Sequence, residues 1–218
     1  MSAGTDVESP VRKPASRALR VGLTGNVASG KSTVAAAWRQ RGIPVVDADQ
    51  LARDAVVPGS PGLERVTEEF GDSLLTPDGA LDRAALGEVV FADAEARGRL
   101  EAILHPIIAE SREEWCRERE AEGHRIVVSE IPLLFEVGLT GDFDRVVVVD
   151  APREERLRRL VQERDLSHAA AEGLMLAQGD PREKRERADH VIFNTGSRAE
   201  LEERALRLLD RLQEEVNK

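Results

Sequence analysis

The chain has 218 residues, enough for one compact domain with inserted subdomains and a sizeable hydrophobic core. Hydrophobic residues make up 41% and charged residues 33%, an ordinary globular balance, and no apolar run reaches the length of a membrane span. The net charge of -10 argues against a nucleic-acid partner, and aromatic residues, at 3%, are too few for base-stacking platforms. The single cysteine, Cys116, favours a reducing compartment, so we expect a cytoplasmic protein without a membrane partner.

The chain begins with a polar, proline-containing stretch, and residues 1–17 are therefore expected to form a disordered extension and not a signal peptide. Five short apolar runs follow, and their high Val and Ile content is typical of parallel strands buried on both faces. Helical patterns lie between the runs, which predicts an α/β fold with a five-stranded, mostly parallel sheet. The runs are 19–23, 43–46, 126–128, 146–149 and 191–193.

Two insertions interrupt the regular spacing of the strands. A helical insertion at 51–125 suits a subdomain that binds an acceptor substrate, and an Arg-rich insertion at 152–187 suits a lid that closes over phosphates. The core then consists of 18–50, 126–151 and 188–218, within a single domain spanning 18–218. In the first insertion, helical patterns cover 63–70, 83–91, 94–104 and 107–122.

A phosphate-binding loop follows the first predicted strand. Its sequence GNVASGKS matches the pattern G-x-x-x-x-G-K-S/T and leads into a helical stretch. Backbone N–H groups of such a loop form an anion site, which the dipole of the following helix strengthens. Lys31 is expected to contact the β- and γ-phosphates of ATP, and the Ser32 hydroxyl to bind Mg²⁺. The residues expected at the nucleotide are Gly25, Asn26, Val27, Ala28, Ser29, Gly30, Lys31, Ser32 and Thr33.

Carboxylates follow two of the predicted strands. Asp47 and Asp49 come at the end of the second strand, and alternation along an extended chain places both side chains on one side. Either could accept a proton from the acceptor or hold Mg²⁺ through water, although Asp49 could instead cap the next helix. Arg53, one helical turn further, could hold a substrate phosphate or pair with Asp49. Asp150 ends the fourth strand, where we favour a helix cap over a metal ligand.

The two insertions and the third strand supply further candidates. His105 precedes Pro106, which predicts a break between two helices that could aim the imidazole into a cleft or only serve as a cap. The apolar run 131–135, which includes Leu133 and Phe135, could form a wall for an organic acceptor or belong to the core.

The last two candidates lie beyond the fourth strand. One or two arginines of the second insertion should reach the phosphates, with Arg164 as the candidate, while the others form solvated ion pairs. Asn194 follows the fifth strand and could contact the adenine ring, or only precede a final helix capped by Ser197.

These landmarks resemble the dephospho-coenzyme A kinase family over essentially the whole chain after about residue 18. Besides the phosphate loop they are, in family order, Asp47-Ala48-Asp49 with Arg53, Leu104-His105-Pro106, Pro132 to Glu136, Ala177-Gln178, Ala188-Asp189, and Asn194 before Gly196-Ser197.

The resemblance implies a nucleoside-monophosphate-kinase-like core with a helical coenzyme-binding domain and a lid. It also implies ATP and Mg²⁺, and transfer of the γ-phosphoryl group to the ribose 3′-hydroxyl of dephospho-coenzyme A in the final step of coenzyme A synthesis. Asp49 is then the candidate base, and Lys31 and Arg164 stabilise the transferred group. The expected acceptor contacts are Asp47, Asp49, Arg53, His105, Leu133 and Phe135.

The chain departs from the family pattern in the loop and in the lid. The family commonly has glycine at the positions of Asn26 and Ala28; Asn tolerates a positive φ, whereas Ala28 needs a φ that its Cβ permits. One residue is displaced before Leu166, which leaves the assignment of Arg164 open.

Two other functions stay open. A kinase for a different metabolite would share the loop, whereas a regulatory GTPase would need D-x-x-G and N-K-x-D elements, which the sequence lacks. For either kinase we expect a small-molecule partner and a monomer or weak homo-oligomer.

Overall fold

A computed structural model describes residues 17–217, so that most of the predicted extension lies outside the described residues. Five strands form one all-parallel sheet in the order β2-β3-β1-β4-β5. The predicted α/β class with a five-stranded parallel sheet is confirmed. The strands are β1 (Leu19–Thr24), β2 (Val45–Asp47), β3 (Ile126–Glu130), β4 (Arg145–Asp150) and β5 (His190–Phe193).

Strand register brings the functional candidates to one edge of the sheet. β1 is central, and Leu23 lies opposite Glu130 of β3 and Val147 of β4. Asp47 at the end of β2 also lies opposite Glu130. Because all strands are parallel, their carboxyl ends meet at the same edge, where ligands bind in sheets of this kind.

Helices α1 (Lys31–Gln40) and α9 (Arg198–Val216) pack against each other and cover one face of the sheet. Trp38 is fully buried there, and its indole N–H donates to the carbonyl of Ala205 at 2.9 Å. The core under these helices is mainly aliphatic, as the scarcity of aromatic residues requires. α1 is thereby held rigidly at the exit of the phosphate loop.

The first insertion folds around its own apolar cluster, to which Val66 and Leu86 contribute. Its helices are α2 (Ala48–Asp54), α3 (Pro61–Phe70), α4 (Arg83–Ala92) and α5 (Ala94–Ala121). The predicted break at His105 is wrong, because α5 is a single 28-residue helix that contains Pro106. Pro106 and Ala102 are both exposed, and on that side of the helix water can satisfy the carbonyl that loses its partner.

The second insertion contains α6 (Arg153–Gln162), α7 (His168–Leu176) and α8 (Pro181–Arg187). Leu160, Ala171 and Met175 form a buried cluster that also contacts Val27 and Ala28 of the phosphate loop. The insertion therefore lies against the loop. Among the described residues no helix is both long and apolar enough to cross a membrane.

Candidate active site

Two glycines of the phosphate loop lie in conformations that other residues rarely adopt. Gly25 has φ 148° and its missing Cβ would lie on the carbonyl oxygen of Val149 in β4. Gly30 has φ 102°, forms the N-cap of α1 and lies against the side-chain amide of Asn194. The loop therefore approaches β4 and the β5–α9 turn so closely that only glycine fits at these positions.

Asn26 and Ala28, where the family commonly has glycine, differ in backbone conformation. Asn26 does not have a positive φ; its buried side-chain amide instead donates to the carbonyl of Gly179 at 3.2 Å. The predicted reason for Asn at this position is therefore wrong. Ala28 has φ 57°, a left-handed conformation that is unfavourable for a residue with a Cβ.

Three side chains from the later half of the chain hold the loop in place. Asn194 donates from its side-chain amide to the carbonyl of Ser29 at 2.8 Å. Gln178 accepts from the N–H of Val27 at 2.7 Å, and Arg159 donates to the carbonyl of Ala28 at 3.1 Å. Asn194 thus supports the loop directly. Ser197 caps α9, as its alternative assignment predicted, in a capping box with Glu200.

Lys31 lies within the loop that precedes it. Its Nζ donates to the carbonyls of Gly25 at 2.7 Å and Asn26 at 3.2 Å. Burial lowers the pKa of Lys31 to about 8. An incoming phosphate would stabilise the charged form of this side chain, because an opposite charge nearby favours ionisation.

The carboxylates after β2 are arranged differently from the prediction. Asp47 is the N-cap of α2, and its carboxylate accepts from the N–H of Asp49 at 2.9 Å. The extended chain ends at Asp47, and Asp49 lies in the first turn of α2. The predicted alternation of Asp47 and Asp49 along a strand is therefore wrong. The alternative prediction, that Asp49 caps the helix, is also wrong. Loss of hydration and the neighbouring Asp47 charge raise the pKa of Asp49.

Glu130 is a site residue that was not predicted. It ends β3 beside Asp47, and burial together with the Asp47 charge raises the pKa of Glu130. The rule that placed Asp47 at the ligand edge, a carboxylate at the end of a buried strand, applies equally to Glu130.

Two adjoining cavities meet at the phosphate loop and share Ala28, Gly30, Ser32 and Arg164. The smaller, of about 260 Å³, is also lined by Lys31, Asp49, Glu130, Pro132 and Gln178. The larger, of about 470 Å³, extends along α6 towards the turn before α9 and is also lined by Thr33, Arg158, Arg159, Asn194, Gly196 and Ser197. Asp49, Lys31 and Arg164 of the second insertion therefore share one cleft.

Five of the six predicted acceptor residues do not line these cavities, and one of them is Asp47, the N-cap of α2. Arg53 and His105 are exposed on α2 and α5, and Leu133 is also exposed, at 43%. Phe135 is only 8% exposed and belongs to the core between β4 and the segment after β3, with the Arg187 guanidinium 5.0 Å from its ring centre.

Asp150 does not cap a helix. α6 begins after Pro152 without a side-chain cap, and the Asp150 carboxylate accepts from Arg185 of α8 at 2.6 Å. A second ion pair, between Lys184 and Glu136 at 2.6 Å, also joins α8 to the sheet side of the molecule. These two pairs fix the second insertion on the core.

The donor set around Ser32 fits Mg²⁺. Ser32, Asp49 and Glu130 line the same cavity. Mg²⁺ usually takes one or two protein ligands and completes its shell with water and substrate phosphates. Within residues 17–217 no group of three or more carboxylate, imidazole or thiol side chains forms a ready-made metal cage, so any Mg²⁺ here would depend on the nucleotide for most of its ligands.

A phosphate loop after the central strand of a parallel sheet, with a lysine and a carboxylate in one cleft, defines the phosphate-loop kinase class. The profile of the family described as dephospho-CoA kinase matches residues 19–200. The chain belongs to the dephospho-CoA kinase family.

Individual relatives agree with this assignment. The chain is 50% identical to the dephospho-CoA kinase of Anaeromyxobacter dehalogenans over 87% of its own length and 90% of the relative's. It is 31% identical to the dephospho-CoA kinase structure from Campylobacter jejuni, with a TM-score of 0.68 over 88% of this chain and 96% of that one. The TT1252 structure from Thermus thermophilus is 40% identical, with a TM-score of 0.76 over 89% and 97%.

Proposed function

We propose that this protein transfers the γ-phosphoryl group of ATP to the ribose 3′-hydroxyl of dephospho-coenzyme A, giving coenzyme A and ADP. Its family phosphorylates dephospho-CoA in the final step of coenzyme A biosynthesis. The observation that carries the proposal within this chain is the shared cavity of Lys31, Ser32 and Asp49 beside the phosphate loop.

The roles of the cleft residues follow from their chemistry. In the transfer, the acceptor oxygen bonds to the γ-phosphorus, the bond from that phosphorus to the bridging oxygen breaks, and Asp49 accepts the hydroxyl proton. The raised pKa of Asp49 favours this role, because a general base works best when its pKa approaches the working pH. Lys31 and Arg164 stabilise charge on the transferred group. Ser32 would hold Mg²⁺, which would supply additional positive charge at the phosphates.

The two cavities suggest where the substrates lie. The larger cavity along α6 suits the nucleoside of ATP, with Arg159 and Asn194 in its wall. Dephospho-CoA would then enter from the side of β2 and α2, where Asp47 and Arg53 lie, and extend along the first insertion towards His105. Of the two predicted apolar contacts, Leu133 offers exposed surface and Phe135 supports it from the core.

The proposed reaction also bears on the localisation and the partners of the enzyme. A reaction on two soluble metabolites suits a cytoplasmic enzyme with no nucleic-acid or membrane partner. A monomer or weak homo-oligomer stays a prediction.

The deciding experiment is an acceptor assay. Purified protein with ATP, Mg²⁺ and dephospho-CoA should produce ADP and coenzyme A in equal amounts, and phosphorus NMR should show the new phosphate as a 3′-monoester. EDTA should abolish the reaction and excess Mg²⁺ should restore it. No turnover of dephospho-CoA, together with turnover of a nucleoside monophosphate, would contradict the proposal.

A further inference from the structure

A third cavity lies on the other side of the phosphate loop. It has a volume of about 470 Å³ and is enclosed by the end of β4, the start of α6, the end of α7 and the start of α8. Asn26 is the only loop residue in its wall, whereas the nucleotide cavities are lined by Ala28, Gly30 and Ser32. The cavity shares Gln178 with the smaller of the other two cavities, and the proposed function gives no role to its arginines.

Arginines dominate the charge of this cavity. Four line it, Arg153, Arg156, Arg182 and Arg185, against the carboxylates of Asp150 and Asp180. Four positive and two negative charges leave a net charge of +2 on the wall, in a chain whose total is -10. Such a local reversal of sign attracts anions.

Arg156 is buried, unlike most arginines of a protein surface. It is 4% exposed, and its Nε donates to the carbonyl of Ala151 at 3.2 Å. Its Nη1 is buried and has no hydrogen-bond partner among residues 17–217. Burial lowers the pKa of Arg156 more than the nearby Asp150 charge raises it, and no carboxylate forms an ion pair with Arg156 in the described part of the chain. A buried guanidinium nitrogen without a hydrogen-bond partner is costly, which indicates that a bound group satisfies Nη1.

The other three arginines of the cavity could also donate hydrogen bonds to an anion. Arg182 is exposed and forms no ion pair with any described residue. Arg153 is bonded to Glu172, and Arg185 to Asp150, each through a single carboxylate. The exposed side chain of Leu176 lies beside them and would contact an organic group attached to an anion.

We propose that this cavity is a second anion site, which takes a phosphate dianion, either free or as the phosphate monoester of a small metabolite. Arg156 would bind the anion from inside the cavity and Arg182 from its mouth, since guanidinium groups recognise phosphate oxygens through paired hydrogen bonds. Asn26 and Gly179, which are joined by a hydrogen bond, both line this cavity. A bound anion would therefore lie next to a residue of the phosphate loop.

The test is calorimetric titration of the full chain with inorganic phosphate and, separately, with methyl phosphate. Saturating Mg²⁺ and the non-hydrolysable β,γ-imido analogue of ATP keep the nucleotide cleft occupied, and ionic strength is held constant. We expect saturable binding of one anion. Arg182→Ala and Arg156→Gln should each weaken it at least about tenfold, as loss of a charged hydrogen bond does. Methyl phosphate binding as tightly as phosphate would indicate a monoester site, and phosphate alone a site for the free ion.

The control is Arg65→Ala, which removes an exposed arginine of α3 outside the cavity and should leave the titration unchanged. Arg182 is exposed, so its variant tests the site even if Arg156→Gln fails to fold. Absence of saturable binding, or equal binding by wild type and Arg182→Ala, would overturn the proposal. Because the nucleotide analogue is present throughout, neither result depends on which acceptor the kinase uses.

Discussion

At the scale of single residues, the phosphate loop combines one conformational cost with several compensating bonds. Ala28 has φ 57°, where an L-residue is disfavoured by about 1 kcal/mol. Its carbonyl accepts from Arg159, and its side chain packs beside the cluster of Leu160 in α6. The surroundings therefore fix a conformation that the residue alone would avoid.

Ala28→Gly is expected to raise the free energy of unfolding by up to about 1 kcal/mol, because glycine adopts this φ without a Cβ clash. Urea denaturation with constant m-value measures the change. Ala102→Gly, on the exposed face of α5, is the matched control and should lower stability by about 1 kcal/mol. A loss of stability on Ala28→Gly as large as that of the control would show that the loop carries no strain.

In the proposed reaction, Asp49 accepts the proton of the acceptor hydroxyl. Asp49→Asn should lower kcat by about 10² or more, because the amide cannot accept the acceptor proton, while ATP affinity stays near that of wild type. Asp54→Asn changes an exposed carboxylate of the same helix and should leave kcat unchanged. Steady-state kinetics with a separate ATP-binding titration make the comparison. A near-normal kcat of Asp49→Asn would show that Asp49 is not the general base.

At the scale of elements, the apolar runs predicted the strands well, because a strand that is buried on both faces consists mainly of apolar residues such as Val and Ile. All five runs overlap a strand, with differences of one or two residues at the ends. Pro106 was misleading, since a proline restricts its predecessor only by a bias, and packing of the long α5 against α2, α3 and α4 outweighs it.

The Lys184–Glu136 pair shows how α8 is held. Burial opposes ionisation of Glu136, but the hydrogen bonds from Lys184 and from the N–H of Gly179 outweigh it and hold the pKa of Glu136 below its ordinary value. A carboxyl whose folded-state pKa is depressed stabilises the fold fully above its unfolded pKa. That contribution is lost as the pH falls through the folded value.

Lys184→Met should therefore lower the free energy of unfolding by about 2–3 kcal/mol at pH 7, since it leaves a half-buried carboxylate unpaired. The loss should shrink at pH 4, because Glu136 in the variant has lost the lysine that opposed its protonation, and burial then favours the neutral carboxyl. Urea denaturation of wild type and variant at both pH values measures it. The double variant Glu136→Gln with Lys184→Met should recover part of the stability at pH 7. A loss independent of pH would mean that packing of the lysine, and not its charge, is what matters.

At the scale of the whole molecule, most residues predicted at the phosphate loop line its two cavities, whereas most of the predicted acceptor residues do not. The loop, Lys31 and Ser32 form a contiguous motif whose spacing determines its geometry. Contacts such as Gln178 with Val27 join residues 151 positions apart, and no local pattern encodes them. The anion cavity behind Asn26 likewise arises from four separate elements. Which surfaces of the first insertion are exposed depends on helix packing in the same way.

The kinase should keep its activity without the residues that precede the sheet. The family profile begins at residue 19, and β1 begins at Leu19 in the centre of the sheet, while Arg17 already pairs with Asp144. Deletion of residues 1–16 should therefore leave kcat/KM and the melting temperature unchanged, because it removes no described contact. Extending the deletion to residue 21 removes half of the central strand and should prevent folding. A fall in kcat/KM of more than about threefold in the shorter deletion would show that the N-terminal residues take part in catalysis or substrate binding.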